Sequence, residues 1–478
     1  MVSSRIDRLA PSQQLTIKVA SVIGRFFAYR TLQDVHPAKA GASHLRADLS
    51  TLAHLDLTPV EAEDPELLYT FRHAITREVA YNLMLFAQRQ GLHRAVAEWY
   101  EDTYAESRSR FLPLLAWHWT QVANDPGASA EVIRAAISRV HEAALQAVQG
   151  YANAEASRHL MTELDLLVRL PRGPERDREE LGLQTMLAYC RMTLAGFGAP
   201  GVEQTYRRAN ELAAEATPSV QLGFILYGLF SFYASRAEYA QATALAERLL
   251  EVGRSVNDTP TLTVGYQSQG IVRLCRGDVA GGLDSLRKST ELASSLADTA
   301  LFGYGGDFQV FTGAWIALGE ELSGRTDEAR ATYEAALSRS PNEHFGRAFV
   351  LSFAPLAILR RDPDEMLVRV AQVNELVAKY GFFLNGLMAR FYQGWAVALQ
   401  GDAAGGLALM DASLPILRAV KLDSFLPWYL ALYAEVQQLN GNHAAALAAL
   451  DEADRVADSA GGSFATPEIE RVRRALGG

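Results

Sequence analysis

Gly401-Asp-Ala-Ala-Gly-Gly406 and Gly441-Asn-His-Ala-Ala-Ala446 each separate two runs of apolar and small residues long enough to form helices. A related phrase recurs upstream as Ala237-Glu-Tyr-Ala-Gln-Ala242, Gly277-Asp-Val-Ala-Gly-Gly282, Gly324-Arg-Thr-Asp-Glu-Ala329 and Arg361-Asp-Pro-Asp-Glu-Met366. Counted from their first residues, the six turns follow one another at 40, 47, 37, 40 and 40 positions. A turn returning at an interval of this size predicts a solenoid of paired helices. The turn chemistry agrees. A Gly, or a residue that tolerates the left-handed region, ends the first helix. Asp, Thr or Asn then follows and can accept from the open N–H groups of the second helix.

Five residues after each landmark stands a small or flexible side chain in most units, which lets the two helices approach closely. Apolar residues then recur at three and four, as in Leu245, Leu249 and Leu250 or Leu447, Leu450 and Val456, one stripe to bury against the next helix. The interval exceeds the roughly 34 residues of a strict tetratricopeptide unit, so longer helices or loops are implied. The Gly-rich run Leu301 to Asp307 predicts an insertion. Earlier units are less regular: Gly150 to Leu160 and Ala195 to Ala216 each read as a turn and second helix, with Pro171, Pro174 and Pro200 breaking helices between them.

The first 90 residues follow another pattern. Ser12 to Val22 and His44 to Leu55 read as amphipathic helices. Leu57 to Val60 and Leu68 to Phe71 read as short strands around the polar loop Glu61 to Glu66. Helices followed by a small hairpin predict a winged-helix-like module, and Ala74 to Trp99 predicts one long helix leading onward. The expected fold is therefore all-α: a TPR-like, right-handed α-solenoid of helix pairs at 91–478 behind a small winged-helix-like module at 1–90.

The 478 residues exceed what one core normally serves. A hydrophobic fraction of 49% with 21% charged residues is ordinary for a folded chain. The net charge of −10 argues against a broad nucleic-acid footprint. Residues 1–50 hold seven basic and three acidic side chains, which leaves DNA binding by the module as a rival reading. Glu61, Glu63, Asp64 and Glu66 oppose it, because they put four negative charges where a wing would meet phosphates. Cys190 and Cys275 form no CxxC pair and read as two buried thiols of a reducing compartment. The N-terminus lacks a signal-peptide core, and the most apolar run, Leu222 to Ala234, is too short to span a bilayer. These features predict a cytoplasmic location.

Catalytic signatures are missing. There is no Gly-x-x-x-x-Gly-Lys-Ser/Thr loop, and Gly303-Tyr-Gly-Gly306 lacks the lysine and the preceding strand. His141-Glu142 opens like a zincin motif, but Leu145 stands where the second histidine belongs. No Gly-x-Ser-x-Gly elbow and no paired cyclase carboxylates are present. No catalytic residue, metal ligand or cofactor is assigned. The first helices are instead rich in aromatics, including Phe230, Phe349, Phe391 and Trp428. In a solenoid the first helices line the concave face, so a binding groove is expected there. Its candidate residues are Arg273, Tyr304, Trp315, Arg347, Asn385, Arg390 and Trp395, with a protein partner or a small-molecule inducer as the guest.

Arg5-Ile-Asp-Arg-Leu-Ala-Pro11, Val19-Ala-Ser-Val-Ile-Gly-Arg25-Phe26 and Phe71-Arg-His-Ala-Ile-Thr-Arg-Glu-Val-Ala-Tyr81 together resemble the segment after the nucleotide-binding domain of STAND-type signal-transduction ATPases. Many of these are fused to adenylate/guanylate cyclase or LuxR-type domains. Gly198 to Ala209 and Gly394-Trp395 are similar to their helical repeats. The resemblance implies a regulatory sensor array whose partner would be a P-loop ATPase domain. It also implies a role for His73, which by position is similar to a histidine that contacts the ADP phosphate in plant resistance proteins, within a Met-His-Asp motif. Here Arg72 and Ala74 flank it, and capping or packing at a strand–helix junction is an equal alternative. A piece of an active ATPase or cyclase is the competing enzyme reading; the missing P-loop opposes it.

Overall fold

The computed structural model describes residues 2–38, 42–214, 220–296, 308–339, 344–353 and 355–477. By its contacts the chain divides into two units, Met1–Gly150 with Arg158–Arg176, and Tyr151–Ser157 with Asp177–Gly478. The N-terminal unit thus takes in helices well beyond residue 90.

That unit contains α1 (Val2–Asp7), α2 (Pro11–Ile23), β1 (Phe26–Ala28), α3 (Tyr29–Val35), α4 (Ala42–His54), β2 (Val60–Ala62), β3 (Leu68–Thr70), α5 (Ala74–Asn82) and α6 (Phe86–Thr103). A 3-10 turn at Ala105–Phe111 precedes α7 (Leu112–Ala123) and α8 (Ala130–Gln149); α9 (Asn153–Leu167) carries the division between the units. The strands form an antiparallel sheet in the order β1-β3-β2, with Phe27 opposite Tyr69. Strand β1 adds to the expected hairpin a third strand that the sequence did not announce. Ile17, Val22, Phe27, Leu49, Leu52 and Phe71 are buried in its core. The single helix expected over Ala74 to Trp99 is two. Helix α5 ends at Leu83, and the chain restarts at Leu85, whose N–H donates to Gln88 Oε1 at 3.0 Å, one side-chain cap for the new helix.

The repeat unit runs through α10 (Pro174–Ala195), α11 (Pro200–Ala214), α12 (Val220–Ser235), α13 (Tyr239–Ser255), α14 (Thr259–Cys275), α15 (Val279–Ala293), α16 (Phe308–Leu322) and α17 (Thr326–Arg339). It continues with α18 (His344–Ser352), α19 (Pro355–Leu359), α20 (Pro363–Tyr380), α21 (Phe383–Leu399), α22 (Ala403–Ala419), α23 (Leu426–Leu439), α24 (His443–Ala460) and α25 (Thr466–Gly477). This is a TPR-like solenoid of helix pairs, and the turns explain it. All six landmark residues, Ala237, Gly277, Gly324, Arg361, Gly401 and Gly441, have positive φ. Asp278, Asp362 and Asp402 accept from the backbone N–H of Gly281, Glu365 and Gly405. Asn442 departs from the expected cap: its Nδ2 donates back to Gln437 Oε1 instead.

Close approach within a pair is set by two positions. A Cβ on Gly406 would lie 2.3 Å from the Gly394 carbonyl oxygen, and one on Gly270 would lie 2.9 Å from that of Gly282. Other pairs put Ala317 with Ala329 and Ala434 with Ala446 at these places, all fully buried. The stripe positions Leu249, Leu250 and Leu450 are buried, whereas Leu447 is largely exposed. One first helix is broken into α18 and α19, because Pro355 has no N–H to offer the preceding turn. The insertion expected at Leu301 to Asp307 lies outside the described residues. Among the described residues, no helix is long and apolar enough to cross a membrane.

Candidate functional site

The first helices of successive pairs, α10, α12, α14, α16, α18 and α21, converge on a cavity of about 130 Å³ in the repeat unit. Phe230, Phe311, Trp315, Phe349, Phe353 and Phe425 form much of its wall. Phe353 stands at the break between α18 and α19, so the interruption by proline supplies one of the rings. The rings brace one another: Phe311 against Phe349 at 4.7 Å, Trp315 against Phe353 at 4.9 Å, both edge to face. Two main-chain bonds join first-helix ends to segments far along the chain. Ser424 N–H donates to Ser235 O at 2.9 Å, and Phe464 N–H to Cys275 O at 3.0 Å.

Polar groups in the wall are few and uncharged. Gln267 is held on both sides, accepting from Tyr227 OH at 3.2 Å and donating to Thr312 Oγ1 at 2.8 Å. Asn385, only 7% exposed, donates from Nδ2 to Ser352 Oγ at 3.1 Å. Ser231, Ser235 and Ser352 return their hydroxyl protons to carbonyls of their own helices. Burial pushes the Cys275 thiol up to about 12, so it is no nucleophile at neutral pH. Cys190 is likewise buried and free, its thiol pushed up by burial to about 11.

Of the groove residues expected from sequence, Trp315 and Asn385 lie in the cavity wall. Trp395 is buried behind it, where its Nε1–H donates to Glu435 Oε2 at 2.9 Å and Arg361 lies 5.4 Å over its ring. Arg273 faces α15, donating to Gly281 O and Ser285 Oγ. Arg347 is half-buried on α18 and Arg390 exposed on α21, neither in the wall. Tyr304 lies outside the described residues. His73 sits at the junction of β3 and α5, exposed, and its side chain does not cap the helix. His141 pairs with Glu163 at 3.1 Å, a hydrogen bond that raises its pKa. Among the described residues, no three His, Cys, Asp or Glu side chains converge to hold a metal. Phe311, Phe353, Met388 and Phe425 carry no distinguishing mark in the sequence; only Phe311 and Met388 share a register, each 13 residues before the landmark of its turn.

No family model matches the chain. It is 23% identical over 492 residues to an uncharacterised protein of Rhizobium meliloti, a match covering 100% of this chain and 46% of that protein. The chain therefore spans about half the length of the curated relative it matches. Among solved structures it is similar to a Rap protein complexed with competence and sporulation factor, with a TM-score of 0.54 at 10% identity, covering 78% of this chain and 98% of that one. That likeness is one of fold. A STAND protein with a tetratricopeptide repeat sensor from Pyrococcus horikoshii matches at a TM-score of 0.40 and 12% identity, over 94% of this chain and 63% of that one.

Proposed function

We propose that this chain is a non-catalytic, cytoplasmic regulatory scaffold that binds a small inducer in its repeat cavity or a protein partner along the groove of its first helices. It would serve as the sensor and coupling portion of a STAND-like signalling protein. The observation that carries this reading is the aromatic cavity built from first helices, with no charged side chain among its described lining residues. The wall draws on the first helices of six pairs, so occupancy would bias their packing; differential affinity of this kind is what moves a switch. The fold shared with a Rap protein bound to competence and sporulation factor supports a receptor role. The exposed acids Glu61, Glu63, Asp64 and Glu66 between β2 and β3 support protein rather than DNA as the target of the winged-helix-like module. The candidate charges Arg273, Arg347 and Arg390 would then serve docking outside the cavity, and His73 would sense nucleotide only beside an upstream ATPase domain.

Ala234 lines the cavity, and an Ala234→Phe ring would fill it. Native mass spectrometry after exposure to bacterial extract should show a retained guest on the wild type and none on Ala234→Phe or on the milder Ser231→Leu. The isolated chain should hydrolyse no ATP. Equal retention by wild type and both plugged variants, each with an unaltered melting transition, would overturn the reading.

A further inference from the structure

The chemistry of the cavity narrows what can occupy it; the inference rests on the reading of this cavity as the binding site. Its space is close to the ~150 Å³ apolar cavities that admit benzene, enough for one ring and a small substituent. No Asp, Glu, Lys, Arg or His is among the described lining residues. A carboxylate, phosphate or ammonium group inside would lose water and gain no counter-charge, which burial penalises heavily. Among the carboxamides of the wall, Asn385 has the most unused capacity. Asn385 spends one N–H on Ser352, and no other described partner takes its second N–H or its Oδ1. Ser352 already gives its proton to Ala348 O, so it cannot satisfy Oδ1. Gln267, the other carboxamide of the wall, already accepts from Tyr227 on its oxygen and donates to Thr312, so less of it is left to a guest.

A buried carboxamide with both an acceptor and a donor to spare is the complement of another amide, whose N–H and C=O meet it edge to edge. We infer that the cavity binds an uncharged single-ring compound bearing an adjacent donor and acceptor, as an aromatic carboxamide does, with the ring among Phe311, Trp315 and Phe353 and the polar edge on Asn385. Charged peptides, nucleotides and carboxylic acids are excluded from this site.

Benzamide, benzoate and toluene make a matched set of probes, of similar size and differing in charge and hydrogen bonding. Isothermal titration of the full chain should show benzamide binding. Benzoate should bind about 100-fold more weakly or not at all, as an uncompensated charge demands. Asn385→Leu keeps the volume and removes the polar edge. It should weaken benzamide about tenfold, the scale of one lost hydrogen-bonded pair, while leaving toluene as tight or tighter. That split is not what a merely structural role for Asn385 produces, and Ser231→Leu should block all three probes. Benzoate binding as tightly as benzamide overturns the uncharged class. An Asn385→Leu variant that binds benzamide like the wild type overturns the polar assignment. Silence from benzamide at its solubility limit overturns the proposal entirely. The extract experiment above decides separately whether the cavity binds anything, so the two readings fail independently.

Discussion

In the N-terminal unit His93 and His118 meet with their Nδ1 atoms 2.9 Å apart, both rings buried; in the repeat unit Glu435 lies between Arg361 and Arg471. The histidines stay neutral. Burial, with Arg77 and Arg89 nearby, lowers His93 to about 4, and burial beside His93 and Arg77 holds His118 well below its usual value. Tyr81 OH, 2.9 Å from His93 Nε2, completes a chain that suits two uncharged rings. Glu435 behaves oppositely. Burial alone would raise its pKa, but hydrogen bonds and charge from Arg361, with Arg471 and Trp395 Nε1–H, outweigh it and keep the carboxylate ionised. Both arginines remain about a third exposed, so they deliver charge to the interior without being fully desolvated. The difference shows where each unit admits charge. The repeat unit confines ionised groups to the backs of its helices and keeps its cavity wall neutral, whereas the N-terminal unit buries titratable rings at its centre and depends on their staying uncharged.

That contrast can be broken unit by unit. The largest effect should come from Gly406→Val, which forces apart α21 and α22. Overpacking against a backbone carbonyl should cost about 4 kcal/mol, read as loss of the repeat unit's melting transition. Gly91→Val in α6, where a Cβ meets nothing within 4 Å, should change stability by less than about 0.5 kcal/mol. Acid should next separate the units. His93 has a folded pKa below its unfolded 6.5, so the unfolded chain binds more protons between pH 6.5 and about 4. Its contribution is complete above 6.5 and is lost as pH falls toward 4, about 3 kcal/mol in all, seen by urea melts of the N-terminal unit. Glu435, with a pKa below 4.5, contributes above that value and loses its share only in stronger acid, so the repeat unit should outlast its neighbour. A repeat unit that melts first on acidification would contradict the comparison. Glu435→Gln should cost about 2 kcal/mol, reduced by the exposure of the two arginines, by chemical denaturation at pH 7. Smallest among the destabilising changes should be Asp402→Ala, which removes the cap on Gly405 N–H at about 1 kcal/mol, against the near-neutral Gly91→Val.

The repeats were legible because their signals are local. A residue with positive φ followed by a capping Asp needs only its own few neighbours, and the six landmarks declare it in sequence. Strand β1 was hidden because three residues, Phe26–Ala28, gain strand character only by pairing with Leu68–Thr70. The break between α5 and α6 was hidden too, since the run through it keeps its apolar residues and only the Leu85 and Gln88 cap marks a restart. Within the candidate site, Asn385 and Trp395 look alike in sequence, polar and aromatic residues of one first helix. Ten residues apart at about 100° per residue, they differ by about 80° in direction, which sends one to the cavity and the other to Glu435. Charged residues on first helices were equally ambiguous: Arg273 finds Ser285 on the helix behind. That Ser235 and Ser424 meet in the cavity wall is likewise something no local pattern encodes.

Those two main-chain bonds, Ser424 to Ser235 and Phe464 to Cys275, change the mechanics of the array. In an open stack each module feels only its neighbours, and unravelling from one end leaves the other intact. Here the last modules are stitched to early ones, so trimming the chain after Leu422 unfastens the ends of α12 and α14 as well. A molecule bound in the cavity would then be sensed at remote modules simultaneously rather than relayed down a line.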